Sequence, residues 1–98
     1  MQSAYARQDR TKDAQRQLET TLNLEPENYR ANLVLGRMLT LHGKPVLALP
    51  YLKKAALLQP GAPDPHLFLV DTFARLGQKA NARREQAEGQ RLRGTNER

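Results

Sequence analysis

The sequence contains no cysteine and no tryptophan, and only 5% of its 98 residues are aromatic. Without cysteine there is no disulfide framework and no thiolate metal site, although this assigns no redox compartment. No apolar run approaches the roughly 20 residues that a helix needs to span a bilayer. Met1-Gln2-Ser3 does not open the charged-then-apolar pattern of a signal peptide. The chain as it stands therefore reads as soluble, without a membrane segment. No Ser, His and acid arrangement, glycine-rich phosphate loop or paired-carboxylate site can be assembled, so neither enzymatic activity nor a cofactor is expected. His42 and His66 stand far apart in the chain and have no further ligand at suitable spacing, so they read as loop and helix-start residues and no metal is expected.

The chain does contain a period. Pro26 and Pro60 are separated by an interval of about 34 residues, which also separates Gly43 from Gly77, Leu35 from Leu69, and the successive alanines Ala14, Ala48 and Ala82. A fixed period of that length marks an array of helical repeats, in which each short unit buries its apolar face against the next. Stacking suits a chain too short for a large single core. Charge is uneven: the net charge is +6, and the stretch from Arg75 to Arg98 holds seven basic and three acidic side chains. That excess favours an acidic partner.

In chain order, residues 1 to about 8 are expected to form a truncated helix with Met1 and Tyr5 on one face. A break is expected at Gln8-Asp9-Arg10-Thr11, followed by a second helix from about Lys12 to Leu24 with Ala14, Leu18 and Leu22 on its apolar stripe. Pro26 ends it. Asn28 is placed to cap a third helix running to about Leu41, with Asn32, Leu35, Gly36 and Leu39 on its buried stripe. Gly43 supplies a tight helix end and Pro45 opens a fourth helix to about Gln59, with a kink expected at Pro50. Pro60-Gly61-Ala62-Pro63 is a turn, and Asp64 can cap or charge a fifth helix carrying Leu67, Leu69, Val70, Phe73 and Leu76 before Gly77. A sixth helix covers about Lys79 to Arg93. There Gln86, Gly89 and Gln90 replace Leu52, Ala55 and Ala56, so a wet outer face is expected, and Gly94 to Arg98 should fray.

The order Leu35-Gly36, Leu39, Gly43, Ala48, Leu52, Ala55 and Pro60, within a period of this length, resembles the tetratricopeptide repeat. The resemblance implies an all-α, helix-turn-helix repeat solenoid, an α-α superhelix of about 2.5 repeats and six helices with the first one truncated. Residues 1–94 would be one domain, comprising a partial repeat 1–28, a full repeat 29–62 and a C-terminal capping repeat 63–94, followed by a disordered tail 95–98. The first repeat departs at Asp9, which stands at the turn glycine, and the last at Val70, where the motif has a small residue.

The family uses the first helix of each repeat to line a concave groove that holds a peptide or helix of a partner. Residue by residue, the resemblance implies a groove of Arg7, Arg30, Leu33, Arg37, Leu41, Leu67, Phe68, Asp71 and Arg75. A wider set adds Ser3, Ala6, Val34, Thr40, Asp64 and Ala74. Helical spacing independently puts Leu33, Arg37, Thr40 and Leu41 on one face, and likewise Leu67, Asp71, Ala74 and Arg75. A clamp for a partner's terminal carboxylate, as in one subgroup, is not expected where Leu33, Val34 and Arg37 stand.

Each candidate has a bland alternative. The arginines either pair with a partner's carboxylates or are solvated, with Arg37 paired to Asp71. Leu33, Leu67 and Phe68 either contact a partner or pack on adjacent helices. Lys79, Arg83, Arg84, Arg91 and Arg93 would suit nucleic acid, but Glu85 and Glu88 interrupt them, an Arg84–Glu88 pair is expected, and no aromatic is interleaved; a solvated face is the favoured reading. The functional expectation is a protein-protein interaction scaffold. Self-association as a homodimer through the truncated first repeat, where Leu18 and Leu22 would be poorly covered, is the alternative.

Overall fold

The computed structural model describes residues 4–96, with side chains described for 10–95. Among the described residues there are five helices and no strand: α1 Ala4–Leu24, α2 Tyr29–Leu41, α3 Pro45–Leu58, α4 Asp64–Arg75 and α5 Lys79–Asn96. Each helix packs against the next, and α2 also touches α4. No helix among the described residues is long and apolar enough to cross a membrane.

The two inter-helix turns after α2 and α4 share one mechanism. Gly43 has φ +78° and Gly77 φ +76°, a left-handed conformation that a Cβ disfavours. That conformation lets the Lys44 amide donate to the Leu39 carbonyl at 2.8 Å and the Gly43 amide to Thr40 at 3.1 Å. Gln78 to Phe73 at 2.9 Å and Gly77 to Ala74 at 3.0 Å repeat the pattern one period on. Both helices thus end by closing their orphan carbonyls in a Schellman motif.

The expected break at Gln8–Thr11, and with it the sixth helix, is absent. α1 is continuous from Ala4 to Leu24. The segment has no glycine, and Asp9 occupies the position that Gly43 and Gly77 take in the later repeats. With no glycine to take a positive φ at low cost and several good helix formers, the chain keeps its i to i−4 bonds instead of reversing. Met1 lies outside the described residues, as does the Tyr5 side chain. Leu18 and Leu22, expected to be poorly covered, are half-buried against the core.

Asn28 caps α2 as expected, its side chain accepting from the Ala31 amide at 2.9 Å. Buried Asn32 donates to the carbonyls of Asn28 at 2.8 Å and Pro26 at 3.1 Å, so one side chain ties down the α1–α2 connection. α3 ends at Leu58 and runs unbroken through the exposed Pro50. Asp64 charges the first turn of α4, while the cap position is Pro63, which makes no side-chain cap bond. α5 continues to Asn96, beyond the Arg93 expected from the sequence.

The core is built from Leu33, Leu35 and Leu39 of α2, Ala48, Leu52 and Ala55 of α3, Leu69 and Phe73 of α4, and Ala82 of α5. Leu52 is 0% exposed and lies over Gly36, where a Cβ would come within 2.6 Å of its Cγ. The glycine is what allows the two helices to approach. In α5, Gln86 and Gln90 are exposed as expected, but Gly89 is buried: a Cβ there would meet Leu67 Cδ2 at 2.7 Å. The wet face therefore does not include Gly89, because α5 approaches α4 most closely at that point.

Candidate partner-binding groove

α2 and α4, the first helices of two successive hairpins, lie side by side and leave a surface groove between them. One cleft of about 510 Å³ is lined by Arg30, Leu33, Val34, Arg37 and Leu41 of α2 and by Asp64 and Phe68 of α4, with Tyr29 and Met38 at its edges. A second, of about 220 Å³, is lined by Arg37, Thr40, Leu41, Leu67, Phe68 and Asp71. Arg37, Leu41 and Phe68 belong to both and form the divide. The Arg37 guanidinium sits 5.0 Å above the centroid of the Phe68 ring, within range of a cation–π attraction that holds the charge in place.

The groove rests on a polar seam. The Thr40 and Thr72 hydroxyl oxygens are 2.7 Å apart, and both side chains are buried. With one proton apiece, one hydroxyl donates to the other, and the second donates to a carbonyl one turn back, Thr40 to Gly36 at 3.1 Å or Thr72 to Phe68 at 3.0 Å. Arg75 adds a second tie, donating to the Thr40 carbonyl at 3.2 Å and to Asp71 at 3.1 Å. Among the described residues no buried side-chain polar atom lacks a hydrogen-bond partner. A satisfied seam of this kind sets the relative position of α2 and α4, since each broken bond would leave a buried group desolvated.

Of the nine residues expected in the groove, Arg30, Leu33, Arg37, Leu41, Leu67, Phe68 and Asp71 line the two clefts. Arg75 stands at the far end, engaged by Asp71 and the Thr40 carbonyl. Ser3 lies outside the described residues, as do the Ala6 and Arg7 side chains. Leu33 is 9% exposed and belongs to the core, so it forms the floor rather than a projecting contact. Leu67 is half-buried, lying against Gly89 on one side and the smaller cleft on the other. The anticipated Arg37–Asp71 pair does not form: Asp71 is taken by Arg75 one turn along its own helix, and Arg37 stacks on Phe68.

Tyr29 and Met38 are not among the residues anticipated here. Their spacing holds the signal, because Tyr29, Leu33 and Arg37 stand at i, i+4 and i+8, and Arg30, Val34 and Met38 do the same one position on. Burial, and secondarily the Asp64 carboxylate, push the Tyr29 phenol above its ordinary pKa.

Away from the groove, His66 Nδ1 is 2.7 Å from Glu85 Oε1 and joins α4 to α5. The expected Arg84–Glu88 pair is replaced by Glu88 with Arg91, while Arg84 donates to Asn81 at 2.6 Å. The hydrogen bond from Arg91 holds the Glu88 carboxyl below its usual range. Among the described residues no three His, Cys, Asp or Glu side chains converge on a metal position.

No family model matches this chain, and no curated protein matches it. Among solved structures it is similar to "MamA MSR-1 C2", a tetratricopeptide-repeat-containing protein, with a TM-score of 0.83 over 94% of this chain at 20% identity. The chain spans about half of that structure, 53% of its length. The fold is thus an all-helical fold of the tetratricopeptide type.

Proposed function

We propose that this chain is a protein-interaction scaffold that holds a peptide or helix of a partner in the groove between α2 and α4. One observation carries the proposal: apolar Leu33, Leu41 and Phe68 and the two arginines Arg30 and Arg37 line one open cleft. Apolar floors with charged rims are the usual form of a site that anchors a partner and fixes its orientation. The all-helical fold of tetratricopeptide type, whose members act as scaffolds, supports it. The division into a partial repeat 1–28, a full repeat 29–62 and a capping repeat 63–94 belongs to the same reading.

The test is affinity capture from the source cells with wild type, Arg37→Glu and Leu41→Glu. Both residues are exposed and line both clefts, so neither change should disturb folding. We expect captured protein to fall at least tenfold in both variants with unchanged helical circular dichroism. Capture surviving intact in both would remove the groove as the site.

A second reading, self-association, is favoured by the exposure of Leu24 at 79% and Leu57 at 78%. Light scattering separates the two, since a clean monomer at high concentration eliminates self-association and leaves the scaffold reading intact.

A further inference from the structure

Among the described residues neither Arg30 nor Arg37 has an ion-pair or hydrogen-bond partner, whereas Arg75, on the same groove, is engaged by Asp71 and the Thr40 carbonyl. Asp71 is thereby neutralised. Asp64, the other carboxylate on the groove, occupies the first turn of α4, where the positive end of the helix dipole offsets its charge. The balance of charge in the groove is therefore positive, and its unpaired cations stand on α2.

The two free arginines stand at i and i+7 on one straight face, a rise of about 10.5 Å. Between them, at i+3 and i+4, stand Leu33 and Val34, with Phe68 facing them across the cleft. The groove-lining face of α2 thus reads Arg-x-x-Leu-Val-x-x-Arg, with exposed arginines at its ends and buried Leu33 and half-buried Val34 as the floor between them. A second helix laid nearly parallel to α2 advances by the same rise per residue, so its side chains at i, i+3, i+4 and i+7 meet those four in order.

From this match, which rests on the groove being the binding site, we infer that the occupant is an amphipathic helix with carboxylates at i and i+7 and apolar residues at i+3 and i+4. Arg37 is the better ordered of the two receptors because the Phe68 ring holds its guanidinium, and a planar guanidinium so held keeps N–H edges for a carboxylate. Arg30, one i+7 interval away, then sets the register of the bound helix.

The probe is a fluorescein-labelled alanine-based synthetic helix presenting Glu, Leu, Leu and Glu at i, i+3, i+4 and i+7. Controls carry Gln or Lys at both ends, or the two Glu moved to a spacing of i, i+3. Anisotropy at low salt should show the Glu helix binding about three- to tenfold tighter than the Gln helix, the scale of two exposed ion pairs. It should exceed the Lys helix by more, and the misplaced-Glu helix should behave like Gln. The Arg30→Glu, Arg37→Glu double variant, confirmed folded by circular dichroism, should reverse the order and prefer Lys. If all four helices bind alike and Leu41→Glu abolishes that binding, the groove stands and the carboxylate register is wrong. Binding of the Glu helix that ignores both Leu41→Glu and the charge reversal overturns the groove as well, and binding by none overturns the proposed occupant.

Discussion

The two helical hairpins, α2–α3 and α4–α5, share one turn mechanism and one spacing but are packed differently. α3 lies between α2 and α4, and Ala48, Leu52 and Ala55 are fully enclosed. α5 packs on α4 alone: Ala82, Gly89 and Leu92 are buried, while Gln86 and Gln90 face water. The middle hairpin therefore depends on apolar close packing. The last one adds a polar link, His66 to Glu85, and leaves its outer side hydrated. The same repeat thus tolerates different chemistry according to whether it has one neighbour or two, since burial and not the repeat itself creates the demand for apolar side chains.

The largest test of this asymmetry is truncation at equivalent positions. Leu52→Ala empties a fully buried site and should cost about 2–5 kcal/mol in chemical denaturation, while Gln86→Ala, at the same position one repeat on, should stay within about 0.5 kcal/mol of wild type. Equal costs would mean that α5 is covered as α3 is.

The two buried glycines should separate next. At Gly36 an added Cβ meets Leu52 Cγ at 2.6 Å and its backbone nitrogen at 3.3 Å, so enclosed Leu52 cannot yield without moving α3. The clash outweighs the helix-propensity gain of about 1 kcal/mol, and Gly36→Ala should be destabilising by about 1–3 kcal/mol. At Gly89 the nearest atom is Leu67 Cδ2, the end of a side chain with the smaller cleft beside it. There the gain and the repacking cost should nearly cancel, leaving Gly89→Ala within about 1 kcal/mol of wild type. A thermal melt of both variants reads the difference directly.

The smallest effect concerns Tyr29, at the edge of the groove and coupled to Asp64 of the second hairpin. Its phenol is raised in the folded state, by burial first and by Asp64 second. A raised phenol releases its proton later in the folded chain than in the unfolded one. Its stabilising contribution is therefore complete below about pH 10 and is lost as pH rises through the folded value. Tyr29→Phe should lose less stability than wild type between neutral and alkaline pH. Asp64→Asn should shift the tyrosinate absorbance titration of this residue downward.

Most of the fold was legible because a repeat states its own rules several times. Leu35, Leu39, Ala48, Leu52, Ala55, Leu69, Phe73 and Ala82 are buried where the period puts them, and Gly43 and Gly77 have the positive φ that their positions require. The errors fall where the copies diverge. The break expected at Gln8–Thr11 rests on analogy with the later turns, yet without a glycine nothing there reverses the chain. Gly89 reads as part of a polar outer face, whereas the close approach of α4 requires it to be small. The Thr40–Thr72 contact was not visible because it joins residues 32 apart, off the period of the repeat.

The groove was legible as a set of positions but not as a set of available groups. Helical spacing alone places Arg30, Leu33, Arg37 and Leu41 along α2, and local sequence alone caps that helix at Asn28 and ends it at Gly43, because these are interactions between near neighbours. Which arginines are free was decided only in three dimensions. Arg75 is engaged by Asp71 and by a carbonyl of another helix, Arg37 is oriented by a ring one repeat away yet keeps its N–H groups unpaired, and Leu33 is claimed by the core, all through contacts whose strength depends on distances that no local pattern encodes.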